Sequence, residues 1–69
     1  MEAVNEPPAE ELRRLYPRVL AKTLARARSL PDAEDAVQEA VARALETWPK
    51  KGRPDSPEAW LVAVAHNAC

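Results

Sequence analysis

Apolar residues in this chain recur at steps of three and four in three separate runs, and proline falls in or beside each run. That spacing marks one face of an α-helix and argues against a sheet. The first run is Leu12, Leu15, Tyr16, Val19, Leu20, Thr23, Leu24 and Ala27. Pro17 interrupts it. Proline lacks a backbone donor and clashes one turn back, so a kink near Pro17 or a fresh first turn beginning there is predicted. Leu30-Pro31 then reads as the break. The second run is Ala36, Val37, Ala40, Val41, Ala44, Leu45 and Trp48, with Asp32 as predicted N-cap and Pro49 as predicted stop. Glu34 and Asp35 suit the positive end of that helix dipole. The third run, Trp60, Leu61, Val64, Ala65 and Ala68, opens on Ser56-Pro57-Glu58: a cap, a proline at the first helical position, then an acid in the first turn.

The residues available fill these helices in a particular way. Fourteen of the 69 residues are alanine, phenylalanine is absent and glycine occurs once, so the core must be thin and close-packed. A chain of this length forms one small domain and buries about 60% of its unfolded surface, which leaves a narrow stability margin. The predicted fold is an all-α, three-helix bundle. Residues 1–8, acidic and ending in a proline pair, read as a disordered lead-in, and residues 9–69 as the helical domain. The third helix reaches Cys69 without a glycine, a proline or a basic last turn, which predicts a helix cut short at its C-terminus.

Charge is segregated along the chain. Six bases and no acids lie between Leu12 and Leu30: Arg13, Arg14, Arg18, Lys22, Arg26 and Arg28. Five acids, Asp32, Glu34, Asp35, Glu39 and Glu46, face Arg43 alone in the second helix. The formal net charge of −1 excludes a generic polycationic coat for nucleic acid but leaves room for a local basic face. No apolar run approaches the roughly 18 residues of a membrane span, and no signal peptide is read. A single cysteine cannot form an internal disulfide, which suits a cytoplasmic location.

Catalytic and metal chemistry find few candidates. His66 and Cys69 stand three apart on one helix face, and no further His or Cys exists to complete a metal site. One glycine cannot build a phosphate-binding loop. The expectation is a non-enzymatic domain without a cofactor.

Two stretches carry binding chemistry. Asp35, Gln38 and Glu39 cluster within about one turn, off the apolar stripe. They read either as an ordinary solvated face or as one that accepts hydrogen bonds from arginine or lysine of a partner helix. From Trp48 to Asn67, a tryptophan precedes a basic loop at 49–55 that contains Lys50, Lys51 and Arg53, and a capped helix follows. Aromatic rings, amides and bases together are the tools for holding an unstacked nucleobase. The same tryptophans also serve as the large core anchors that a chain without phenylalanine needs, Trp60 above all.

The segment Ala33-Glu34-Asp35-Ala36-Val37-Gln38-Glu39-Ala40, followed by Ala59-Trp60-Leu61-Val62-Ala63-Val64-Ala65-His66-Asn67, resembles region two of bacterial RNA polymerase sigma factors, the extracytoplasmic-function group above all. The resemblance covers Leu12 to Cys69. It implies a transcription initiation module that docks on core RNA polymerase through Asp35, Gln38 and Glu39, against the clamp helices of the largest subunit. It also implies that the loop 49–55, with Lys50, Lys51 and Arg53, captures a base flipped from the non-template strand of the promoter minus-ten element. Asn67 and Val64, with Trp48 and Ala44 beside them, match the wall of the base pocket. Two departures stand out: Val41 replaces a frequent phenylalanine, and the loop is longer and richer in proline than in many members. An anti-sigma factor is a further partner the resemblance admits. The alternative is a sigma-like helical protein-interaction module, binding an anti-sigma factor or itself, without DNA binding of its own.

Overall fold

The computed structural model describes residues 8–68 and contains three helices: α1 (Pro8–Leu24), α2 (Leu30–Lys51) and α3 (Pro57–Ala68). Of the predicted lead-in at 1–8, residues 1–7 lie outside the described residues, as does Cys69, while Pro8 belongs to the first turn of α1 instead of the lead-in. Helix α1 starts with Glu10 and Glu11 in its first turn and ends with Lys22 in its last, each sign matched to the dipole. It runs unbroken through Pro17, so the predicted fresh start there does not occur. Pro17 and Arg13 are both exposed, so water can reach the carbonyl that loses its helical partner. The helix also stops a turn earlier than its apolar run: the Thr23 carbonyl accepts from the amides of both Arg26 and Ala27, each at 3.0 Å.

Helix α2 corrects two sequence expectations. Its N-cap is Ser29, not Asp32: the Ser29 Oγ accepts from the Asp32 amide at 3.2 Å, with Ser29 in an extended conformation. Leu30-Pro31 therefore opens the helix instead of breaking one. Proline fits that first turn because its missing donor would have had no helical partner there. At the other end, α2 continues past the predicted stop at Pro49 to Lys51. Gly52, at φ 97° and ψ 154°, then caps it, donating its amide to the Trp48 carbonyl at 2.8 Å. The loop is thereby shortened to 52–56, and Lys50 and Lys51 become the last turn of α2. Helix α3 begins as expected, with the Ser56 Oγ accepting from the Ala59 amide at 3.4 Å.

Helix α2 packs against both of the others. Its buried line is Ala33, Ala36, Val37, Ala40, Ala44 and Trp48. Small side chains at three- and four-residue steps let neighbouring backbones approach closely, the thin core that the composition implied. Leu12 and Val19 of α1 and Leu61 and Ala65 of α3 complete it. Trp48 is 4% exposed, and its ring meets Trp60 edge-on, with centroids 5.4 Å apart and planes at 67°. The tryptophan expected to be the plain core anchor, Trp60, is the half-buried one. Leu45, assigned to the apolar stripe, is 47% exposed.

Candidate functional site

The buried line of α2 leaves Asp35, Gln38 and Glu39 on its exposed side. Arg43, one turn beyond Glu39, donates from Nε to its Oε2 at 3.0 Å. Asp35 and Glu39 border an open groove of about 850 Å³, which Arg26, Arg28, Asp32 and Arg43 also line. A smaller pocket of about 130 Å³ adjoins it, lined by Glu39, Arg43, Val64, Asn67 and Ala68. The continuity follows from the packing: α3 returns along α2, so its last turn reaches the level of Glu39. Candidate docking residues and candidate base-pocket residues thus meet at one end of the α2–α3 pair.

The remaining predicted site residues lie at the other end. Trp48, Lys50, Lys51 and Arg53 stand where α2 gives way to the loop, beside Trp60. Seven residues of helix, about 10 Å, separate Trp60 from Asn67. Ala44 is fully buried, and Trp48 is closed off in the core with its Nε1 unpartnered, so neither presents a surface to a ligand. Lys50, Lys51, Arg53 and Asn67 are exposed and Val64 is half-buried.

Arg53 is engaged within the molecule. Its Nε and Nη2 donate to Oε1 and Oε2 of Glu11 on α1, at 2.7 and 2.6 Å. This two-pronged bond lowers the Glu11 pKa below its ordinary value and raises that of Arg53, each favouring the charged form. A second ionic cluster joins α1 to the start of α3. Lys22 reaches Glu58 at 2.6 Å, and Arg18 donates to it at 2.8 Å. Lys22, then Arg18, hold the Glu58 carboxyl below its usual range. In the sequence Glu58 stands out only as a first-turn acid, Arg43 only as the lone base between Asp32 and Trp48, and Glu11 not at all. The signal for Arg43 is its four-residue step from Glu39. Nothing local marks the Glu11–Arg53 pair, whose members are 42 residues apart.

The family model of sigma-70 region 2 matches residues 12–69. The chain belongs to this family. An uncharacterized protein of Rhizobium meliloti (strain 1021) is 44% identical over 52 residues, which make up 75% of this chain. The match spans 12% of that relative's length. No solved structure matches significantly. Three helices with their caps and an α2 face free of the core are therefore what this sigma region-two domain builds. Among the described residues, no helix is long and apolar enough to cross a membrane, and no group of three or more metal-ligating side chains occurs.

Proposed function

We propose that this sigma region-two domain acts in transcription initiation, docking on the clamp helices of core RNA polymerase through Asp35, Gln38 and Glu39. It also helps to recognise and open the promoter minus-ten element in the cytoplasm. The observation that carries this reading is the exposed Asp35–Gln38–Glu39 face, continuous with the pocket that holds Val64 and Asn67. Two carboxylates and an amide on one helical turn are acceptors for arginine and lysine of a partner helix. Asn67 contributes the amide that can pair with a base edge, and Val64 the apolar wall, while Lys50 and Lys51 supply charge for phosphate.

Asp35→Ala or Gln38→Ala should weaken polymerase binding about tenfold, the equivalent of roughly 1.4 kcal/mol, with the helical circular dichroism unchanged. A pull-down titration checks this, and an unaltered affinity sinks the docking assignment. Asn67→Ala should leave docking intact and reduce promoter opening, read by permanganate reactivity of the melted strand; normal melting removes Asn67 from the pocket.

A second reading, a protein-interaction module without DNA binding, draws on a different observation. Ala9, Leu12, Arg13, Tyr16, Val41 and Leu45 line an apolar groove of about 210 Å³ between α1 and α2, the kind of surface an anti-sigma helix would cover. Fluorescence anisotropy with a single-stranded minus-ten oligonucleotide separates the two. Steep salt dependence with sequence preference supports the first reading, and no binding supports the second.

A further inference from the structure

Helix α1 holds both ends of the loop that joins α2 to α3. At the near end, Arg53 is gripped by both carboxylate oxygens of Glu11. At the far end, Glu58 is gripped by Arg18 and Lys22. Glu11 and Arg18 are seven residues apart on α1, close to two turns, so both anchors rise from one face of a single rigid element. Both carboxylates are largely covered, with side-chain exposures of 21% for Glu11 and 20% for Glu58. The loop between the anchors is stiff in its own right. Gly52 fixes its start at a positive φ, Pro54 is half-buried, and Ser56-Pro57 closes it as the cap and first residue of α3. Few internal degrees of freedom remain once the ends are fixed.

We propose that Glu11 is a positioning residue for this loop: it commits Arg53 to α1, so that Arg53 sets the loop's pose instead of meeting DNA phosphate. The proposal rests on the sigma reading above only for the use to which the loop is put. It divides the basic segment by role. Lys50 and Lys51, exposed on the last turn of α2, face the nucleic acid, and Arg53 works through Glu11.

The discriminating variants are Glu11→Gln and the exchange Glu11→Arg with Arg53→Glu, each in the chain bound to core polymerase, with the free chain followed by NMR. Glu11→Gln should lower the order parameters of the Arg53, Asp55 and Ser56 amides, leave polymerase affinity unchanged, and cut the preference among bases at the captured position about fivefold. The exchange should restore both loop order and base preference. If Arg53 met phosphate directly, Glu11→Gln would free it and strengthen binding, and the exchange would place a carboxylate at the phosphate and give no rescue. Either result overturns the proposal, as does a loop whose order Glu11→Gln leaves unchanged. A wild-type chain that opens no promoter sinks the sigma reading instead, and the NMR arm then still decides whether Glu11 pins the loop.

Discussion

Among the described residues, Thr23 is the one buried polar side chain of the core, fully enclosed on the inner face of α1, and its hydroxyl has no hydrogen-bond partner. A buried hydroxyl left unpaired retains its desolvation cost, whereas a methyl of the same shape does not. Thr23→Val should therefore stabilise the domain by about 1 kcal/mol, which for a chain of this size raises Tm by about 4–8 °C. Thermal unfolding followed at 222 nm checks it; a lower Tm would mean that the hydroxyl has a partner in solution. Trp48 is the contrasting case. Its indole N–H is also unpartnered, but the ring fills the space beneath Trp60 and α1, so truncation there exchanges one orphan donor for a large void. Trp→Ala losses in cores run to about 3–5 kcal/mol, enough to exhaust a margin as thin as this one.

At the level of elements, the three ends that matter are Ser29, Gly52 and Ser56. Gly52 lies at φ 97°, where a side chain strains the backbone, yet a Cβ built there would meet no atom within 4 Å. Gly52→Ala should therefore cost about 1–3 kcal/mol from backbone conformation alone, with no steric share. A urea titration should show a lower midpoint at an unchanged slope; a cost near zero would mean that the cap can relax. These same ends explain what the sequence made legible. Periodicity located all three helices, and Ser56-Pro57-Glu58 located the start of α3, because both signals are local. It misassigned the ends of α2 because Pro31 and Pro49 admit two readings. Proline is excluded from a helix interior but welcome in a first turn, and it is tolerated near a last turn on a wet face. The exposed face of α2 was visible as residues off the stripe. The separation of Asn67 from Trp48 was not, since it depends on α3 returning along α2 and on which tryptophan is covered. The Glu11–Arg53 and Arg18–Glu58 pairs were equally hidden, because opposite charges 42 and 40 residues apart carry no spacing signal.

At the scale of the whole molecule, the base-rich first helix is tied to the rest by two carboxylates. Glu11 and Glu58 both have folded-state pKa values below the ordinary 4.5, because cations favour their charged forms. A group whose folded pKa is depressed binds fewer protons folded than unfolded, so its contribution is complete well above 4.5. That contribution shrinks as pH falls below 4.5 and is gone once pH has passed the lowered folded value. Protonation at the same time leaves Arg14, Arg18, Lys22 and Arg53 with less negative charge to face, which adds repulsion across the α1 contact. The Glu11→Gln/Glu58→Gln variant should accordingly melt below the wild type at pH 7, and the gap should narrow as pH falls below 4.5 and close once pH has passed the lowered folded values. Moderate salt at neutral pH should narrow it as well, since both clusters are partly exposed and screened. Tm measured against pH for the two proteins decides the matter. A gap that stays constant into acid would mean that these carboxylates act by packing and not by charge, and the ionic tie between α1 and the loop would fall with it.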